Sequence, residues 1–172
     1  MNLRYEILKE HSRKQSLKIA EWIGSSAVKF KKLLNLFLYD EYRVGQRSAW
    51  VITFVGAKYP KLIEDNIHAF VKRLYDKDIP VSVKRNTVRV LQFLKIPKSL
   101  HARVMNICIG FLLDPNETVA VKVFSMTVLA HLAMQYPEIR NELEYIIKSQ
   151  LQNSTAGFKA RAKKVLKQLE KI

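Results

Sequence analysis

A single cysteine, Cys108, is all the thiol chemistry this chain contains, so no disulfide can form within it. Its setting, between Ile107 and Ile109, is that of a small apolar core residue. Glycine and proline are scarce too, five of each in 172 residues, and the glycines are scattered. That rules out a Gly-x-Gly-x-x-Gly turn, a Walker loop and a Gly-x-Ser-x-Gly elbow, and no His-Glu-x-x-His helix occurs either. Long hydrophobic runs are missing: the longest charge-free stretches, residues 104–113 and 123–137, fall short of the roughly 20 residues of a membrane-spanning helix. Residues 1–14 carry Arg4, Glu6, Lys9, Glu10, Arg13 and Lys14 and so lack the uncharged core of an export signal. A soluble protein of a reducing compartment, cytoplasmic and without a membrane partner, is the expectation.

Acidic residues are the other shortage. Fifteen Asp and Glu stand against 30 Lys and Arg, a net charge of +15, which favours polyanions or acidic partners. The excess is uneven. Lys and Arg against Asp and Glu number eight to four in residues 1–40, seven to five in 41–78, six to one in 79–116, three to four in 117–155 and six to one in 156–172.

What the chain does have is helical periodicity throughout, with 48% hydrophobic residues, enough for one folded domain. After Pro60, the apolar residues Leu62, Ile63, Ile67, Phe70, Val71 and Leu74 recur at steps of three and four, which predicts one amphipathic helix. The runs after Pro97 and Pro137 repeat the pattern. The three prolines are 37 and 40 residues apart, each opening a helix at its first position, where the missing amide costs no hydrogen bond. Residues 41–78, 79–116 and 117–155 superpose as units of two antiparallel helices. Residues 12–40 form a degenerate unit with Ser25 and Ser26 in place of proline, residues 157–172 a lone terminal helix, and residues 1–9 a leading helix or an extension of the next. End units depart from the pattern because one of their faces meets water.

The fragment 114–122, Asp-Pro-Asn-Glu-Thr-Val-Ala-Val-Lys, continuing to Leu129 and Leu132, resembles the HEAT repeat family. In that family an aspartate in the turn between helices precedes a Val-Arg or Val-Lys pair that opens the next helix. Asp76 with Val83 and Lys84, and Asp114 with Val121 and Lys122, share this pattern at one separation, and Asp40 with Arg47 is a weaker copy. The resemblance implies a single domain over 1–172, an armadillo-like, all-α right-handed superhelix, or solenoid, of about four helical pairs plus terminal helices. Asp40, Asp76, Asp114, Lys84 and Lys122 then read as scaffold residues forming a ladder of acid and base between units. The second helix of each pair lines the concave surface in such arrays, and that makes Lys61, Lys72, Lys98, Arg103, Arg140 and Lys148 the candidate partner contacts.

Chemistry is harder to find. His11, His68, His101 and His131 are far apart and have no second ligand at a metal-binding spacing, so no metal and no cofactor is expected. His131, beside Ala130 and Leu132, reads as a packed imidazole, and His101 falls among the bases Lys95, Lys98 and Arg103. Cys108 and His101 are two helical turns apart, roughly 10 Å, too far for a nucleophile and its base. Trp22, Trp50, Phe54 and Phe93 fall on apolar faces and are expected in the core, which leaves the basic clusters without interleaved aromatics for stacking. On the terminal helix Lys159, Lys163, Lys167 and Lys171 form one stripe, open to two readings: a grip on phosphates, or the solvated face of a capping helix. The function expected is a non-catalytic docking scaffold for an acidic protein segment or a nucleic-acid backbone. The alternatives are a divergent HEAT-like glycosylase of DNA alkylation repair and a structural adaptor whose charge maintains solubility.

Overall fold

Five helices begin behind a short polar side chain that accepts from the amide three residues on: Asn2 from Tyr5, Ser12 from Gln15, Ser26 from Lys29, Thr118 from Val121 and Thr155 from Phe158. Each such cap satisfies one of the amides that a helix start leaves unpaired. In the computed structural model, which describes residues 1–171, the described residues form eleven α-helices and one 3-10 helix and no strand. The all-α fold is therefore the one the periodicity implies. The helices fall into two compact units, Met1–Thr87 and Val88–Ile172, with the boundary inside one helix.

The first unit holds α1 (Leu3–Lys9), α2 (Arg13–Ile23), α3 (Ala27–Tyr39), α4 (Tyr42–Lys58), α5 (Pro60–Glu64), α6 (Ile67–Leu74) and the start of α7 (Val81–Leu91). Its central element is α4, against which α1, α2, α3 and α5 all pack. The face doing this is Val44, Ser48, Val51, Ile52 and Val55, spaced three and four apart and buried. Phe30, Phe37 and Phe70 are fully enclosed, with the rings of Phe37 and Phe70 tilted at 43° and 5.9 Å between centroids. Gly45 sets how closely α3 and α4 approach: a Cβ there would lie 3.0 Å from the Phe37 carbonyl oxygen.

The second unit continues α7 and adds α8 (Lys98–Leu113), α9 (Val119–Ala133), the 3-10 turn Pro137–Ile139, α10 (Arg140–Gln150) and α11 (Ala156–Leu169). Here α9 is central, with α8, α10 and α11 packed on it. Its sequence shows why: Val121, Met126, Val128, Leu129, Ala130 and Leu132 are buried on several sides of the helix, the composition of an element surrounded by others.

Three expectations are corrected. The run after Pro60 is two helices, because Asn66 (φ −114°, ψ 7°) leaves helical geometry and donates its side-chain amide to the Leu62 carbonyl, 2.8 Å away. Pro60 opens its helix at the first position as expected, whereas Pro97 is the residue just before α8 and Pro137 opens a 3-10 turn. Ile172, the last residue of the predicted terminal helix 157–172, lies outside the described residues.

Helix ends follow from the shortage of glycine. Gly24, closing α2 at φ 54°, is the one described residue in left-handed backbone. Elsewhere, side chains from neighbouring helices reach the last carbonyls. Arg47 donates to Leu8 O (2.7 Å) at the end of α1, and Arg73 to Leu38 O (2.8 Å) at the end of α3. Lys29 donates to Trp22 O (2.7 Å) at the end of α2. At the end of α8, the Gln150 amide donates to Leu112 O (2.9 Å), and its oxygen accepts from the buried ammonium of Lys122 (3.2 Å). Each contact meets an unpaired carbonyl, and the cations also face the negative end of a helix dipole.

Glycine has opposite value at two helical positions. Gly45→Ala is expected to lower the melting temperature, because the Phe37 carbonyl belongs to a packed helix and cannot recede from a methyl. Gly110→Ala, where an added Cβ meets nothing within 4 Å, is expected to raise it by about 2–4 °C, the equivalent of roughly 1 kcal/mol of helix propensity. Thermal unfolding followed by circular dichroism checks both signs.

Candidate partner-binding surface

Much of the positive charge is engaged inside the fold. Arg4 holds Asp40 (3.1 Å) and Glu41 (3.1 Å), Lys18 holds Glu6 (3.4 Å), and Arg73 holds Asp76 (2.7 Å) in addition to its carbonyl. The half-buried Arg161 donates to the Gln92 carboxamide oxygen (2.9 Å) and to the Thr127 hydroxyl, tying α11 to α9 and to the residue after α7. Asp114 accepts from the Asn116 amide, and Lys122 turns to Gln150, so this acid and base pair forms no rung of the expected ladder. The scaffold role expected of Lys122 and Asp40 holds, with different partners.

The six residues expected on the second helices are dispersed. Lys61 is exposed on α5 and paired with Asp65 (2.8 Å), Lys72 is exposed in the last turn of α6, Lys98 is exposed at the start of α8, and Arg103 is exposed farther along it. Arg140, opening α10, is half-buried, with its Nε enclosed and unpaired. Lys148 is paired with Glu144. Lys61 and Lys72 belong to the first unit and the other four to the second.

The terminal stripe is different. Phe158, Ala162, Val165 and Leu169 turn α11 inward, leaving Lys159, Lys163, Lys164 and Lys167 exposed on the helix and Lys171 exposed just beyond it. Among the described residues none of these five forms an ion pair. Lys159, Lys163 and Lys167 border a shallow groove whose apolar part is Leu151, at the end of α10, and Leu166. Glu170 is its only acid.

A second hollow was not anticipated. Leu94, Ile96, Val128 and Leu132 wall a notch of ≈ 70 Å³, with Lys95 and His131 also lining it. His101 holds its edge. Its Nε2 lies 2.7 Å from the Ile96 carbonyl, which can only accept, so Nε2 carries the proton and Nδ1 accepts from the Tyr136 hydroxyl at 2.9 Å. His101 is thus a buried structural residue, 2% exposed, and not a member of the surface basic cluster. His131 is exposed, not packed: Ala130 and Leu132 are its neighbours in sequence, but successive helical residues face about 100° apart. Phe93, expected in the core, is 80% exposed because α7 ends at Leu91 and its spacing no longer applies. Trp50 is 41% exposed, opposite the buried stripe of α4, with its ring tilted at 49° to that of His11 and 4.9 Å between centroids. Trp22 and Phe54 are half-buried beneath Lys29 (4.4 Å) and Arg13 (5.9 Å). The sequence signal for the notch is a lack: residues 88–113 and 118–137 contain no Asp or Glu.

Cys108 is fully buried, and burial pushes its thiol up to about 12, which suits a packing residue and not a nucleophile. Among the described residues no group of three His, Cys, Asp or Glu converges as a metal site requires, and no helix is long and apolar enough to cross a membrane.

A family model described as HEAT repeat domain matches residues 3–169. No curated protein and no solved structure matches the chain.

Two outcomes follow from this division of charge. Arg47→Met leaves the Leu8 carbonyl without its cation and is expected to cost about 1–2 kcal/mol in denaturant unfolding, whereas Lys163→Met on the exposed stripe is expected to change stability by less than roughly 0.5 kcal/mol. The second concerns acid. The Arg4 hydrogen bond holds Asp40 below the usual carboxylate range, and the Gln15 amide followed by Lys18 does the same for Glu6. Both acids titrate lower folded than unfolded, so the stability they add is present above about pH 4 and is lost as pH falls through the folded values. The melting temperature is expected to drop on acidification from about pH 5 to pH 3, and less steeply in Asp40→Asn.

Proposed function

Because the chain belongs to the HEAT repeat family, we propose that it is a non-catalytic docking scaffold whose basic surface receives an acidic segment of a macromolecular partner, protein or nucleic-acid backbone. HEAT repeats typically mediate protein interactions, and a helical repeat scaffold is what the family supplies. The observation that carries the basic-surface reading is the α11 stripe. Its five lysines are exposed and not committed to ion pairs among the described residues, whereas Arg4, Arg47, Arg73, Lys122 and Arg161 are held within the fold. A lysine face that serves solubility alone needs no apolar strip beside it, but here Leu151 and Leu166 run along the lysines. The second helices contribute Lys72 and Lys98 as exposed cations, and Lys61, Arg103 and Lys148 also lie at the surface. The inert, buried thiol fits work in the reducing cytoplasm.

Fluorescence anisotropy with labelled polyglutamate and with a labelled DNA duplex tests this directly. Affinity for the preferred probe is expected to fall linearly on a log–log plot against salt, and Lys163→Glu with Lys167→Glu to weaken it about tenfold and to lessen the slope by about one per lost contact. Affinity indifferent to salt, or to both reversals together with Lys72→Glu and Lys98→Glu, defeats the basic-surface reading.

A further inference from the structure

We infer that the notch between the α7–α8 loop and α9 is a seat for an acidic peptide segment that inserts one branched aliphatic side chain. The inference rests on the scaffold reading and narrows it to a protein partner. Shape comes first. By the measure that gives the notch ≈ 70 Å³, a single water needs only about 10–15 Å³, so the space takes several waters or one aliphatic group. Leu91, Leu94, Ile96, Val128 and Leu132 give it apolar walls and Lys95, His131 and Gln135 polar ones, so an occupant that sets an aliphatic group beside hydrogen-bonding anionic groups displaces the waters best.

The surroundings fit such an occupant. Phe93, the residue before Leu94, is 80% exposed, and Met134, the residue that closes α9 two positions after Leu132, is 63% exposed. Large apolar side chains flanking a preformed pocket are the usual make-up of an interface centre. The pocket is preformed because His101, bonded to the Ile96 carbonyl and to Tyr136, fixes the loop that makes one wall, so little ordering is left for binding to do.

Charge selects among occupants. Lys95 and His131 line the notch, Arg89 and Lys98 lie in the same acid-free segment, and no Asp or Glu occurs in either contributing stretch. An acidic peptide gains from the Lys95 ammonium at the notch and meets no opposing acid there, whereas a second copy of a chain carrying +15 is repelled. A nucleic-acid backbone satisfies the cations but leaves the apolar notch empty, and Phe93 alone is no stacking platform.

Selection of a random dodecapeptide display library on the full-length chain at physiological salt provides the test. The expected winners carry one Leu, Ile or Val flanked by Asp and Glu. The enriched peptide, synthesised and titrated by anisotropy, is expected to bind Lys95→Glu and Phe93→Ala about tenfold more weakly than the parent. Both side chains are exposed, and circular dichroism confirms that these variants fold. Lys14→Glu, at an exposed lysine of α2, is expected to leave this peptide's affinity unchanged. A peptide sensitive to Lys163→Glu with Lys167→Glu and indifferent to Lys95→Glu overturns the notch and leaves the scaffold reading intact. Failure to enrich any peptide, equal binding of a peptide whose aliphatic residue is replaced by Ser, or self-association abolished by Phe93→Ala overturns it as well.

Discussion

Carbonyl groups at helix C-termini have no partner within their own helix, and a chain with five glycines cannot end every helix in a left-handed turn. Most of the architecture is arranged around that constraint. Only α2 closes on a positive-φ glycine among the described residues. At the ends of α1 and α3 a guanidinium from another helix takes over, at the end of α2 an ammonium joins the glycine, and at the end of α8 a glutamine backed by a buried lysine does the same work. These contacts are directional and join helices distant in sequence, so they fix how neighbours are placed as well as satisfying polar groups. Non-specific burial of Leu and Val does not do this.

The same constraint changes the meaning of the net charge. A surplus of Lys and Arg reads first as a surface for polyanions, yet several of the cations nearest the core point at backbone oxygen or at local carboxylates. Lys122 is the clearest case: it is 9% exposed on the most enclosed helix of its unit, and its partner is a neutral amide. The burial of an ammonium is tolerable there only because Gln150 orients its oxygen toward it while holding the α8 carbonyl with its amide. The charge left at the surface is smaller than the net figure suggests, and α11 carries one continuous stripe of it.

Legibility in the sequence followed physical range. Helix existence, the start at Pro60, the serine that replaces proline before α3 and the inward face of α11 all depend on residues within one or two turns, and the periodicity exposes them. The break at Asn66 escaped notice because an amide bonding its own helix competes locally with a pattern that is otherwise unbroken. Phe93 was misplaced because periodicity extends past a helix end on paper but not in space. His101 and His131 exchanged roles for a related reason: identical side chains thirty residues apart were judged by their sequence neighbours, while burial was decided by which helix lay across from each.

The sequence by itself determined that this chain is an all-α repeat of the HEAT family, that its helices are amphipathic, and that its basic residues outnumber its acidic ones two to one. Those properties rest on composition and on spacing within a few residues. Only the tertiary structure decided which cations are caps and which are available, that a buried histidine braces the loop after α7, and that Leu94, Ile96, Val128 and Leu132 enclose a hollow. Hydrogen bonds to backbone oxygen carry no sequence signature at the acceptor, and a hollow is defined by atoms of separate helices, so neither can be read from one stretch of chain alone.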